Sequence, residues 1–410
     1  MPELSRGSAQ LIKDINRQIV LNLIHRQGPI SGAELAKRTK MRPSTVSGIL
    51  KALSALGLIH EVGTGESTSL GGRKPVLWKI DKGGGVAIGI EVVLKKIITT
   101  VMDLESNILG QDSRRTRIFA DEHDLVNEID HIVKQLLSKY QLDAKKVIGI
   151  GIGISGLIDT NKGEVILSTL FKKRNIPLRQ LLDEKIGMGM IIENDANAAA
   201  FGESWLGRGK TAKHLIYIEV NEDITGIGCG IVIHGQVYRG ASMCAGELGL
   251  ILPTISTLCR RDSLMVKDSI LLDLVDDDLE KITTDTLLKA AKQRDELALR
   301  ILEDLGEILG DEIIRMVSLL NPELVILGGD IAEIEEYILD PIRKMIRRKT
   351  LAAVADAVTV EISTYSKYAV AAGAASLILQ QVYREPGVDS QYIFSSGYFL
   401  ENNRKEINVL

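Results

Sequence analysis

The sequence predicts an α/β protein in two parts: a winged helix-turn-helix head and a two-lobed α/β body. Three observations carry that prediction. Residues 1–80 hold 12 Lys and Arg against five Asp and Glu, a net +7, so the rest of the chain carries −11 of a total of −4. Apolar residues recur at helical spacing through 10–56 and at strand spacing through 57–80. Beyond residue 83, two successive series of strands and helices follow, each close to β-β-β-α-β-α. A length of 410 residues suits two or three domains, and 45% hydrophobic with 25% charged residues is the composition of an ordinary globular chain.

Composition also excludes several classes of function. The three cysteines, Cys229, Cys244 and Cys259, are not closely paired, so neither a disulfide framework nor a zinc knuckle is indicated. Residues 1–18 lack an apolar signal core, and no apolar run is long enough to span a bilayer. The expectation is a cytoplasmic protein with no membrane contact. A basic head on an acidic body points to nucleic acid at one end.

In the head, residues 10–26 read as a helix with Leu11, Ile15, Ile19 and Leu23 along one stripe, ended by Gly28-Pro29. Ser31 is placed to cap a short helix over 32–38, with Glu34 at the capping-box position. Ser44 opens a third helix that buries Val46, Ile49, Leu50, Leu53 and Leu56. Its opposite face carries Ser44, Thr45, Ser47, Gly48 and Lys51, small and basic residues able to approach base edges and phosphates. Strands over 57–62 and 75–80 enclose a Gly/Ser/Thr-rich tip and make a wing. Gly71 and Gly72 flank Arg73 and Lys74, a thin segment able to enter a narrow minor groove. The expected contacts to double-stranded DNA are therefore Arg42, Ser44, Thr45, Ser47, Lys51, Arg73 and Lys74. A basic three-helix segment could instead be a protein-interaction module, but wing, charge and helix chemistry agree on DNA.

In the body, residues 86–91 and 97–103 are β-branched strands of a hairpin, with a third strand over 106–110 and an amphipathic helix over 121–140. The buried strand 147–154 leads into Ser155-Gly156-Leu157-Ile158-Asp159. A strand over 190–193 delivers Asn194 and Asp195 to the start of an alanine-rich helix over 196–206. The carboxyl end of a strand is where open α/β folds bind ligands, and an amide beside a carboxylate suits polyol hydroxyls. The alternative is a plain helix cap, since both residues are favoured there. Strands over 214–220, 226–233, 236–238, 324–329 and 358–362, with helices over 265–275, 284–293, 295–320, 332–348 and 368–383, complete the body.

Several ordered motifs then give the chain a specific likeness. They are Gly-Ile-Gly-Ile-Ser-Gly-Leu-Ile-Asp (151–159), Glu-Asn-Asp-Ala-Asn-Ala-Ala-Ala-Phe-Gly-Glu (193–203), Tyr-Arg-Gly-Ala-Ser (238–242), Ala-Gly-Glu-Leu-Gly (245–249) and Asn-Pro-Glu-Leu-Val-Ile-Leu-Gly-Gly (321–329). In these the chain resembles transcription factors of the ROK family, in the NagC/Mlc/XylR-like regulator branch, over about residues 8–385. The resemblance implies an actin/hexokinase-like body with sugar bound between its lobes. It divides the chain into a winged helix-turn-helix (1–80), a first lobe (81–190, with the C-terminal helix 368–385 returning to it), a second lobe with the dimerisation region (191–385) and a tail (386–410). The ligand set it implies is Gly156, Asn194, Asp195 and Glu247.

Departures from the family pattern bear on the chemistry. Family kinases carry Gly-x-Asp-x-Gly-Gly-Thr-Lys, whose bare backbone cradles nucleotide phosphates. Here the match reads Gly89-Ile90-Glu91-Val92-Val93-Leu94-Lys95-Lys96, and Val220-Asn221-Glu222-Asp223-Ile224-Thr225-Gly226 replaces the second phosphate turn. Leu250 stands at the usual His position, and Cys259 alone replaces the zinc-binding cysteine cluster, so no metal is expected and the segment 250–263 should be re-packed. Leu170 replaces a sugar-contacting Asn beside Lys172, Lys173 and Arg174, a cluster that could favour an acidic or phosphorylated sugar or simply be a solvated loop. The expectation is a regulator of carbohydrate genes, a repressor in type, with a sugar-like effector, a homodimeric or homotetrameric assembly, no cofactor and no catalytic residue. A sugar kinase with an added head and a ligand-independent architectural DNA binder are the alternatives.

Overall fold

The computed structural model of the chain describes residues 9–64, 74–168, 170–220, 227–248 and 269–383. Its head contains α1 (Ala9–Gln27), β1 (Ile30–Ser31), α2 (Gly32–Thr39), α3 (Pro43–Ala55), β2 (Ile59–Thr64) and β3 (Val76–Ile80). The side chain of Ser31 accepts from Glu34 N at 3.2 Å and caps α2. The reciprocal half of the expected capping box gives way to another partner: Glu34 Oε1 accepts from Arg38 Nε at 2.6 Å, a charge-assisted bond one turn along the helix. Pro43 occupies the first turn of α3, where its missing N–H goes unmissed, so the helix begins one residue before Ser44. The wing gains an unforeseen strand, because β1 pairs with β3 through Ile30 and Trp78.

The first lobe contains β4 (Val86–Val93), β5 (Lys96–Asp103), β6 (Ile108–Arg115), α4 (Glu122–Lys139), β7 (Val147–Ile154), β8 (Gly156–Asp159), β9 (Glu164–Ser168), β10 (Arg174–Ile176), α5 (Leu178–Ile186) and β11 (Met190–Asn194). Its main sheet has the order β11-β7-β4-β5-β6. The short sheet β10-β9-β8 was not foreseen, because three- to five-residue strands leave little periodicity to read. Strand β11 was expected to open the second lobe. It pairs parallel to β7 from Met190↔Ile150 to Asn194↔Ile154, so the first sheet extends through Asn194. The alternation in Val147–Ile154 has a direct cause. Ile150, Ile152 and Ile154 pack in the core shared with α4, while the intervening glycines turn to the other face.

After α6 (Asp195–Trp205), the second lobe contains β12 (His214–Val220), β13 (Ile227–Ile233), β14 (Gln236–Val237), α7 (Ile270–Leu274), α8 (Thr284–Lys292), α9 (Glu296–Leu320), β15 (Leu324–Gly329), α10 (Glu335–Lys349), α11 (Ala352–Ala357) and β16 (Thr359–Ile362), and the chain then returns to the first lobe through α12 (Ala369–Val382). Its sheet has the order β14-β13-β12-β15-β16. Helices α8, α9 and α10 share one apolar core against one face of this sheet. Helix α6 covers the opposite face, and α12 lies on the first lobe's sheet with Ala371 and Ala374 against the glycines of β4 and β7. No described helix is long and apolar enough to cross a membrane.

The two lobes meet through α6 and α12, whose backbones touch. A Cβ on Gly202 would come within 2.6 Å of Gly373 Cα, and one on Gly373 would overlap the carbonyl oxygen of Ala198. Helix backbones are held in place by their own hydrogen bonds and give way poorly, so the pair must separate to admit a side chain. Gly373→Val should therefore lower stability by about 3 kcal/mol, at the upper end for overpacking. Denaturant unfolding of the full chain checks this, and a loss under about 1 kcal/mol would mean that the crossing is loosely packed.

Candidate functional site

The inter-lobe pocket is built where β11 hands over to α6. Asn194 is the N-cap: its Oδ1 accepts from Asn197 N at 3.1 Å, and its Nδ2 donates to Gly156 O at 3.2 Å. The cap reading of this junction is therefore true of Asn194, whose amide is largely engaged by the protein itself. Asp195 is the residue whose carboxylate faces the pocket. Its Oδ1 accepts from Ala196 N at 2.8 Å. Burial pushes this carboxyl above the usual range, while hydrogen bonds from Ala196 N, the Ser155 side chain and the Asn194 side chain pull it back.

All four expected ligand residues, Gly156, Asn194, Asp195 and Glu247, line this one pocket. Glu247 lies at its exposed rim, and its carboxyl is raised by partial burial and then by the Asp195 charge. Ser155, Asn197 and Glu219 line the pocket as well, and the sequence reading missed them. Asn197 had a legible signal, sitting three residues after the cap on the first turn of α6. Its Oδ1 is buried with no hydrogen-bond partner among the described residues, so the pocket presents an acceptor in need of a donor. Glu219 lies near the carboxyl end of β12, but only lobe packing turns it into this space.

Behind the pocket the carboxylates accumulate. Glu219 is buried and accepts a bond from the Tyr217 hydroxyl. Burial raises its pKa to about 8; the Tyr217 bond and Lys96 lower it, and Asp195 and Asp330 raise it further. Glu91 is raised well above the carboxylate range by burial, then by Glu219 and Asp195. From the first lobe, Lys96 Nζ reaches Asp330 Oδ2 in the second at 3.4 Å. The β4–β5 turn that would cradle phosphates in a kinase of the family is a tight two-residue connection, Leu94-Lys95. Its following lysine is committed to Asp330, and the floor is acidic. Such a surface exchanges hydrogen bonds with hydroxyls, and the Leu94-Lys95 turn offers a triphosphate no bare glycine backbone.

The basic cluster beside Leu170 does not reach the pocket. Leu170 packs against the first-lobe core, while Lys172, Lys173 and Arg174 are exposed and Lys173 Nζ pairs with Glu122 Oε2 at 2.7 Å. The cluster is a solvated loop, and it lends no support to an acidic or phosphorylated ligand. Cys229 lines the pocket as a thiol, its pKa pushed up to about 12 by burial. Residues 221–226 and 249–268, with Leu250 and Cys259, lie outside the described residues, among which no group of three or more metal donors is found.

In the head, Arg42, Ser44, Thr45, Ser47 and Lys51 are exposed together along one side of α3, while Val46, Ile49, Leu50 and Leu53 are buried on the other. Gly48 sits among the exposed set with open space beside it. Lys74 is exposed at the base of the wing, and Arg73 lies outside the described residues.

Two outcomes follow from this geometry. Lys51→Ala should weaken duplex binding similarly on all sequences and reduce the salt slope by about one, measured by fluorescence anisotropy across salt concentrations. A folded-state pKa of about 8 for Glu219 against the usual 4.5 means that the folded chain holds a proton that the unfolded chain has lost. That contribution is absent below pH 4.5 and destabilises increasingly as pH rises toward 8. Glu219→Gln should therefore raise the melting temperature relative to the parent at pH 8 and leave it nearly unchanged at pH 4.5. Equal shifts at both would assign the effect to packing.

Residues 87–381 match the ROK family and residues 19–66 match the MarR family. The xylose repressor of Caldicellulosiruptor bescii is 28% identical over 400 residues, covering 93% of this chain and 99% of that protein. The N-acetylglucosamine repressor of Escherichia coli O157:H7 is 27% identical over 367 residues, covering 85% of this chain and 88% of that protein. A crystal structure of a ROK family transcriptional regulator, a homologue of the E. coli MLC protein, superposes with a TM-score of 0.76 at 24% identity, over 96% of this chain and 99% of that one.

Proposed function

The chain belongs to the ROK family, and on that premise we propose that it is a DNA-binding transcriptional repressor of carbohydrate-utilisation genes. A sugar or sugar-like effector bound in the inter-lobe pocket controls it, and it works in the cytoplasm as a homodimer or homotetramer on operator DNA. The observation that carries this reading is the pairing of two surfaces on one chain. One is the exposed polar and basic side of α3; the other is the pocket of Asn194, Asp195, Asn197, Glu219 and Glu247. The relatives named for xylose and N-acetylglucosamine supply the class of effector by analogy.

In this reading Asp195 and Glu247 accept hydroxyl hydrogen bonds from the effector, Gly156 lets it approach the backbone, and Asn194 holds the turn that positions them. In the head, Ser44, Thr45 and Ser47 face the major groove. Arg42 and Lys51 meet phosphates, and Arg73 with Lys74 follow the minor groove beside it. No residue is given a catalytic role. Against the alternative of a sugar kinase stand Val93, Leu94 and Lys95, which fill the turn where family kinases leave bare backbone, and Lys96, whose ammonium is committed to Asp330. An architectural DNA binder without effector would have no use for an unpartnered acceptor such as Asn197 Oδ1.

A hydrogen bond to a charged carboxylate contributes roughly 1.5–3 kcal/mol. Asp195→Ala should therefore raise the sugar concentration that releases operator DNA about tenfold or more, with DNA affinity in the absence of sugar unchanged. The measurement is a titration of sugars against the protein–operator complex, parent and variant side by side. Release at the same concentration in both would remove this pocket as the sensor. Sugar phosphate formed from ATP by the parent, and lost in Asp195→Ala, would establish the kinase reading instead.

A further inference from the structure

Helix α6 begins in the pocket and ends against the DNA-binding head. Asn194 and Asp195 open it, and about 16 Å along its axis its last residue, Trp205, sits in a cluster of rings. Trp205 stacks with Phe201 at 6.1 Å between centroids and with His25 of head helix α1 at 6.4 Å. His25 in turn stacks on Tyr383 at 3.8 Å, nearly parallel at 14°. Tyr383 follows the last residue of α12, lies 6.5 Å from Trp205, and donates its hydroxyl to Leu104 O at 2.6 Å. One ring of the head is thus held where the carboxyl-terminal ends of α6 and α12 converge.

The two helices belong to different lobes. Helix α12 lies on the sheet of the first, and α6 lies on the sheet of the second. Helix α6 is also tied to the second lobe by Glu203, which is fully buried and accepts from Ser363 Oγ at 2.6 Å and Thr364 N at 2.7 Å. A change in the angle between the lobes must move Trp205 relative to Tyr383, because each ring rides on a helix fixed to its own sheet. The head follows, since α1 is bound at the same point: Gln18 Nε2 donates to Val382 O, and Val20, Leu21 and Ile24 share a continuous apolar core with Phe201, Leu377 and Ile378.

We propose that Trp205 and His25 are the positioning residues through which occupancy of the pocket is read by the DNA-binding head, with α6 as the rigid element between them. This deepens the effector reading and rests on it for the identity of the signal, but the mechanical link is separate. Both the pocket and the head are complete without Trp205, so its removal should uncouple them while leaving each intact.

The test uses the full chain as parent, Trp205→Ala and Trp205→Phe. The probes are D-xylose, D-glucose, N-acetyl-D-glucosamine and a duplex that the parent selects from a random pool. In Trp205→Ala, the sugar that raises the parent's melting temperature should still do so, and DNA affinity without sugar should be unchanged. The sugar concentration needed to release DNA should rise about tenfold or more, within the usual range of coupling between sites. Trp205→Phe should restore release. Amide exchange over residues 20–27 should be about fivefold faster in Trp205→Ala, with or without sugar, as the head's anchor loosens. Release by Trp205→Ala at the parent's sugar concentration would overturn the link. If none of the sugars raises the parent's melting temperature, the effector reading fails, and exchange alone then decides the link: unchanged protection of 20–27 in Trp205→Ala overturns it, and faster exchange upholds it.

Discussion

Gly202 and Gly373 face one another where α6 crosses α12, and no other pair of residue types would let these helices approach so closely. The small residues around them, Ala198 and Ala199 on α6 with Ala372 on α12, follow from the same constraint. Each helix is also pressed onto a sheet, so the crossing fixes the spacing between the lobes. The pocket opens at the amino-terminal end of α6 and the head is anchored at its other end. A single backbone contact thus sets the geometry of sensing and of DNA presentation together.

The chemistry of the cleft follows from which charges the fold leaves inside it. Glu91, Asp195, Glu219 and Asp330 come from four separate stretches of chain, and Lys96 is the cation that reaches in among them to Asp330. Burial holds Glu91 and Glu219 toward their protonated forms, which relieves repulsion that would otherwise open the lobes. A neutral polyol adds no charge to this balance, whereas a phosphate would have to be desolvated beside carboxylates. The pocket's acceptors, including Asn197 Oδ1, favour ligands rich in donors.

The head shows the complementary economy of residue types. Helix α3 is apolar where it meets α1 and the wing, and on its other side it carries short hydroxyl side chains around a bare Gly48, with Arg42 and Lys51 flanking them. Its first turn is preset by Pro43, so the exposed face has a defined pitch before any DNA is met. Lys79 at the foot of the wing pairs with Glu105 of the body at 2.7 Å, a further tie between head and body besides the contacts of α1.

Local patterning determined a good deal of this protein. The three head helices, the exposed face of α3, the paired strand series and the strand-to-helix junction at Asn194 and Asp195 are all written in residue spacing, because burial on one side of an element imposes a period. The gathering of Gly156, Asn194, Asp195 and Glu247 was legible only by likeness to a family, since nothing in their spacing brings them together. Tertiary structure alone decided the rest. It gave β11 to the first sheet, turned Glu219 and Asn197 into the pocket, set Lys96 against Asp330, and brought Trp205 to His25 across 180 residues of chain. Such meetings depend on how two sheets and the helices between them pack, and a periodicity of two or 3.6 residues carries no information about partners so distant.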